Sequence, residues 1–291
     1  MFHVKPCPYG KIGNLKRGID KTSGECYNSY TLVRGKESKM GKVIAIVNQK
    51  GGVGKTTTCV NLCYALQIRK RNVLLCDCDP QGNSTSGLGV DKESTPNVYD
   101  VFMNDVAAEK AVVKTKYCSL IPANRELSGA TVELVSADSR EHVLKEALEP
   151  LRADYDYIFI DCPPSLELLT LNALCAADEI IVPVQCEYFA LEGLTDLLGT
   201  IKTINKRLNP DLKLKGILLT MYDPRTKLSV EVENEIKKYF GAKVYKTRIP
   251  RNVRLSEAPS HGKPVIAYDR LSKGSRAYLQ LASEFLESEL K

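Results

Sequence analysis

The chain has 291 residues, 43% hydrophobic and 26% charged, an ordinary globular composition that excludes disorder over most of its length. No stretch nears the roughly 18 consecutive apolar residues of a membrane span, and the first thirty residues lack an apolar signal core, so the expectation is a cytoplasmic protein. The net charge of +6 is uneven: residues 1–40 hold eight Lys or Arg against three acids, and residues 243–276 hold nine against Glu257 and Asp269, which points to a surface facing a polyanion.

Residues 1–40 lack apolar periodicity and contain turn formers such as Pro8-Tyr9-Gly10, so they read as a basic, weakly structured leader, with one domain over 41–291. From Gly41 short apolar runs alternate with helical segments. Strands are expected at 42–47, 72–77, 118–121, 156–160, 179–184, 214–220 and 244–249, and helices at 55–69, 138–150, 165–177, 189–208, 226–240 and 275–290. Runs such as Tyr157-Ile158-Phe159-Ile160 do not alternate with polar residues, so both faces of each strand should be covered. The expected fold is α/β, a doubly wound and mostly parallel sheet with helices on both faces. The ten cysteines are scattered singly with no C-x-x-C pair and read as reduced small core residues, with cluster binding by Cys76 or Cys162 as the alternative.

The first strand runs into Lys50-Gly51-Gly52-Val53-Gly54-Lys55-Thr56-Thr57 and then a helix. In the strict phosphate-loop pattern G-x-x-x-x-G-K-[ST], Gly54, Lys55 and Thr56 fit, but Gln49 stands in place of the first glycine. Glycines let backbone N–H groups turn toward phosphate oxygens, the helix N-terminus adds positive potential, Lys55 reaches the outer phosphates and the Thr56 hydroxyl can ligate Mg²⁺. The plainer reading is a Gly-rich turn capping a helix. The second strand ends in Asp77-Cys78-Asp79-Pro80-Gln81-Gly82-Asn83, at the carboxyl edge where open α/β sheets bind ligands. Beside a phosphate loop, Asp79 reads as orienting the attacking water, and otherwise as capping a turn. The run at 157–161 delivers Asp161 to the same edge, where it would hold Mg²⁺ or its waters.

The variant K-G-G-x-G-K-T-T, the strings D-P-Q-G-N and D-x-P-P, and the late string from Ile249 to Val265 resemble the ParA/Soj proteins of the MinD/ParA superfamily, which carry a deviant Walker-A loop; the resemblance runs from Gly41 to the C-terminus. It implies a deviant P-loop ATPase using ATP and Mg²⁺. Residues Gly51, Gly52, Val53, Gly54, Lys55, Thr56 and Thr57 would bind phosphates. Lys50 would reach across a nucleotide-sandwich homodimer to the partner's phosphates. Met221, Pro250 and Asn252 would flank adenine, with ordinary strand-end turns as the alternative. Arg225 and Arg254 would bind DNA without sequence preference, unless they pair with acids such as Asp223 or Glu257. A ParB-like partner would accelerate hydrolysis, and the protein would be nucleoid-associated.

Three rivals carry less. A membrane switch should end in a basic amphipathic helix, whereas residues 279–291 are acidic. An iron–sulfur carrier should show paired late cysteines, yet no Cys follows Cys186. A scaffold has no need of Lys50, Lys55, Asp79 and Asp161 together.

Overall fold

The computed structural model describes residues 40–136 and 139–290. The leader expected at 1–40 therefore lies, apart from Met40, outside the described residues. Seven strands form one sheet: β1 (Lys42–Ile46), β2 (Val73–Asp77), β3 (Val113–Lys114), β4 (Ser119–Ile121), β5 (Tyr157–Asp161), β6 (Glu179–Gln185) and β7 (Lys213–Thr220). Their order is β3-β4-β2-β5-β1-β6-β7. All pairs are parallel except β3 with β4, so the sheet is mostly parallel, as expected.

Eleven α-helices accompany it among the described residues: α1 (Lys55–Ile68), α2 (Asn83–Gly87), α3 (Val98–Met103), α4 (Leu127–Glu133), α5 (Val143–Leu148), α6 (Leu168–Ala176), α7 (Ala190–Arg207), α8 (Lys227–Phe240), α9 (Val253–Glu257), α10 (Val265–Tyr268) and α11 (Lys273–Ser288). Two apolar cores lie on opposite faces of the sheet. Val43 and Ala45 of β1 join the core packed by α3 to α8, while Ile44 and Ile46 join the core packed by α1, α10 and α11. Successive strand residues point to opposite faces, so a strand covered on both sides must be apolar throughout, as β1 and β5 are.

Helix α11 buries Ala277, Tyr278, Leu281, Ala282 and Phe285, one face at helical spacing, against the sheet. Its apolar stripe is thus internal. All eight described cysteines are free and buried, acting as small apolar side chains within the strands and helices or at strand ends.

The strand expected at 244–249 does not form. Its ends touch β7, with Tyr245 N donating to Ile217 O at 3.0 Å and Ile249 N to Leu219 O at 2.9 Å. Between them, the N–H groups of Lys246 and Thr247 donate to the Glu284 carboxylate of α11 at 2.6 and 2.9 Å. The Glu284 carboxylate thus takes the Thr247 N–H, the donor a ladder would use between those of Tyr245 and Ile249, so isolated bridges replace a strand. The helix expected from 138 begins only at Val143 and gives way to a 3-10 turn at Pro150, whose ring cannot donate to the helix ladder.

Candidate nucleotide site

The carboxyl ends of β1, β2, β5, β6 and β7 converge on the candidate site. After β1, the Asn48 amide donates to Pro183 O at 2.7 Å and its Oδ1 accepts from Lys50 N at 3.0 Å, pinning the loop to β6. Gly52 and Gly54 have φ of 72° and 89°, the left-handed region where a side chain is strained, so these two residues allow the loop to curl. Thr220 at the end of β7 donates to Val53 O at 2.8 Å, which sets the last strand beside the loop.

Lys55 is buried, and its Nζ donates to Lys50 O at 3.1 Å across the loop. Burial lowers its pKa below the usual lysine range, while the carboxylates of Asp161 and Asp79 oppose the shift. An ammonium curled under a phosphate-sized loop, beside acids and out of water, is arranged to meet an anion. Lys50 is oriented differently. Its Nζ donates to Phe189 O at 2.9 Å and lies 5.7 Å from the centroid of the exposed Phe189 ring, at the outer rim of the site.

Asp77 and Asp161 are register partners on β2 and β5, and both are fully buried. Burial drives both carboxyl pKa values upward, and their mutual repulsion adds to the rise at Asp77. The Asp77 carboxylate is occupied: Oδ2 accepts from Thr85 N and Thr85 Oγ1, each at 2.8 Å, and Oδ1 accepts from Asp79 N at 3.2 Å. Asp161 accepts from Ser84 Oγ at 2.8 Å through Oδ2. Ser84, the Thr56 hydroxyl and the Cys59 thiol offset part of the rise that burial imposes on that carboxyl, yet Oδ1 is buried without a formed hydrogen bond. A buried carboxylate oxygen with no partner, beside the Thr56 hydroxyl, fits a hard cation such as Mg²⁺. Asp79 is buried at the same edge, and its Oδ1 accepts from Gln81 N at 2.9 Å.

Met221 has φ of 48° at the end of β7, and the next residue, Tyr222, is bridged to Pro250. Asn252 stands at the N-terminal boundary of α9 without a capping hydrogen bond, and its side-chain Oδ1 is buried without a partner. Thr220 holds Val53 of the loop and Tyr222 is bridged to Pro250, so Met221 and Pro250 lie at the same end of β7, and Asn252 follows with an unpartnered acceptor.

Arg225 and Arg254 lie on the surface. Arg225 makes a two-point pair with Asp223, at 2.9 and 2.7 Å, with a side chain 86% exposed. Arg254 donates to Glu257 at 2.7 Å and lies 3.4 Å from Asp269. Both arginines therefore pair with the acids that sequence offered as their structural alternative, while remaining exposed. One member of the late basic run is held by a buried acid: the exposed Arg248 pairs with the buried Glu233.

Sequence reasoning missed Ser84 and Thr85, the hydroxyl pair that holds the two buried aspartates. The signal was present, since Ser84-Thr85 follows the glycine that turns the chain back toward the strand edge. Phe189 had no signal, because a backbone carbonyl is what Lys50 meets.

A family model described as an AAA domain matches residues 41–214. The sporulation initiation inhibitor protein Soj of Bacillus subtilis (strain 168) is 58% identical over 248 residues, covering 84% of this chain and 98% of that protein. The chromosome-partitioning ATPase Soj of Treponema pallidum (strain Nichols) is 52% identical over 249 residues, covering 85% and 98%. Among solved structures, cobyrinic acid a,c-diamide synthase from Mycobacterium smegmatis with bound ADP and magnesium superposes with a TM-score of 0.77 at 41% identity, covering 87% of this chain and 96% of that one. With a deviant phosphate loop, two buried strand-end aspartates and this identity over nearly the whole length of its relatives, the chain belongs to the ParA/Soj family of chromosome-partitioning ATPases.

Proposed function

We propose that the chain is an ATP-dependent DNA-partitioning switch. Its ATP-bound sandwich dimer binds DNA non-specifically, and hydrolysis, stimulated by a ParB-like centromere-binding partner, releases it during chromosome or plasmid segregation at the nucleoid. The observation that carries the reading is the convergence of Lys55, Thr56 and the partnerless Asp161 oxygen beneath the glycine loop. Nucleotide and Mg²⁺ fit this cradle, and the solved relative from Mycobacterium smegmatis holds ADP and magnesium.

Residues 51–57 would cradle the phosphates, with backbone N–H groups of the loop and the α1 N-terminus facing anionic oxygens. Thr56 and Asp161 would hold Mg²⁺, which supplies charge neutralisation at the phosphates. Lys55 would neutralise the outer phosphates from below. Asp79 would orient the attacking water, since its neighbour Asp77 is already saturated by donors. Met221, Pro250 and Asn252 would bind the adenine. Lys50 would leave Phe189 O for the partner's phosphates when two chains close, and Arg225 and Arg254 would join the DNA-facing surface.

Among the described residues no helix is long and apolar enough to cross a membrane, and the apolar face of α11 is taken by the sheet. The deciding experiment measures binding to unrelated DNA duplexes with ATP, ADP and no nucleotide. Tight binding with ATP alone is expected; equal binding in all three states refutes the switch.

A further inference from the structure

Helix α2 touches both ends of the proposed switch. At its start, Ser84 Oγ donates to Asp161 and Thr85 donates to Asp77 through both its backbone N and its hydroxyl, and all four residues are fully buried. Any change in charge at these carboxylates therefore reaches α2 through direct hydrogen bonds. Just past its other end, Gly89 meets Gly262 backbone to backbone. A Cβ on Gly262 would lie 2.7 Å from Gly89 Cα, and one on Gly89 would lie 3.0 Å from Gly262 O; φ is positive at both, 60° and 75°. Only two glycines permit this approach.

Gly262 belongs to a segment held together by its own contacts. Arg254 pairs with Glu257 and Asp269, the Tyr268 hydroxyl donates to Glu257, and the His261 ring stacks on Tyr268 at 4.8 Å. The segment is also anchored to α1: Val265 N donates to Asn61 Oδ1 at 2.7 Å, and the Asn61 amide donates to Thr57 O at 2.8 Å. One anchor is thus on the phosphate-loop helix and the other on α2, so a shift of α2 relative to α1 must shear the segment that carries Arg254.

We propose that α2 and the Gly89–Gly262 contact form the mechanical link that carries the state of Asp161 and Asp77 to the basic segment 252–270. The inference rests on the DNA-switch reading above. Its residues lie outside the phosphate loop, so the link can be cut without emptying the site.

The test uses the full chain and Gly262→Ala, with Gly89→Ala as the milder second cut. In the parent chain, ATP with Mg²⁺ should slow amide exchange in residues 252–270, and Gly262→Ala should lose that response. ATP turnover without DNA should stay within about twofold, while the ATP-dependent gain in DNA affinity should fall about tenfold or more. Parent exchange at 252–270 that ignores ATP overturns the link, and needs no variant to fold. A parent chain whose exchange responds but whose DNA binding ignores ATP refutes the DNA reading and leaves the α2 coupling standing as an internal one. Unchanged exchange and DNA responses in a folded Gly262→Ala, or in Gly89→Ala if the first does not fold, overturn the proposal.

Discussion

Replacing Arg225 by Ala separates a DNA contact from a structural ion pair. The Arg225 side chain is 86% exposed although Asp223 is half-buried, so the pair is screened by solvent on the arginine side and its loss should leave the melting temperature nearly unchanged. A phosphate contact has a different signature. Each one lost flattens the slope of log affinity against log salt by about 0.9, and a symmetric dimer loses two, so the slope should fall by about 1.8. Between 50 and 200 mM salt, a fourfold change, that is about a tenfold smaller loss of affinity for the variant than for the parent. The assay is salt-titrated binding to two unrelated duplexes, with ATP affinity and melting measured on the same preparation. Asp223→Ala supplies the converse: freed from its pair, Arg225 should bind DNA more tightly. Arg254, paired with Glu257 and Asp269, should follow the same pattern. An unchanged salt slope in Arg225→Ala, or a loss of ATP affinity that precedes the loss of DNA binding, would refute the assignment and return both arginines to a structural role.

Lys55→Ala should abolish tight ATP binding, because it removes the buried ammonium beneath the loop, while Lys50→Ala should bind ATP but fail to dimerise in light scattering; a normal ATP-bound dimer in Lys50→Ala rules out the sandwich. Asp79→Ala should bind ATP and hold DNA persistently because turnover is blocked, whereas Asp161→Ala should lose Mg²⁺-dependent binding in calorimetry, and failure of both at nucleotide binding contradicts the division of roles. The raised pKa values of Asp77 and Asp161 give the nucleotide-free chain a pH dependence of definite sign. The folded chain retains protons that the unfolded chain releases near pH ~4, so stability should decline as pH rises from there through the raised folded pKa values. The depressed pKa values of Glu233 and Glu289 act in the opposite sense, but only at and below the ordinary carboxylate range. Thermal melts from pH 5 to 8 check this, and Asp77→Asn should flatten the decline; an equal slope in both chains contradicts it.

Local sequence determined much of the site. The loop at 50–57 was legible because a strand, a glycine run and a lysine must be contiguous to cradle a phosphate, and Asp161 because an apolar run ending in one acid delivers it to a sheet edge. The buried strands were legible for a similar reason, since coverage on both faces demands unbroken apolar runs.

What sequence left undecided depended on partners far along the chain. Residues 244–249 have the composition of a strand, yet Glu284, almost forty residues later, takes the Thr247 N–H that a ladder to β7 requires. The pairing of Arg225 with Asp223 and of Arg254 with Glu257, two and three residues apart, was one of two open readings, whereas the approach of Arg254 to Asp269, in the turn after α10, is supplied only by the tertiary structure. The roles of Ser84 and Thr85 emerge only when β2 and β5 lie side by side, bringing Asp77 level with Asp161, and the close approach of Gly89 to Gly262 joins residues far apart in the chain. Sequence fixes which groups a short element presents, because backbone geometry and side-chain chemistry are local. Which distant donor meets which acceptor follows from the strand order β3-β4-β2-β5-β1-β6-β7, an outcome of packing two apolar cores at once that no local run encodes.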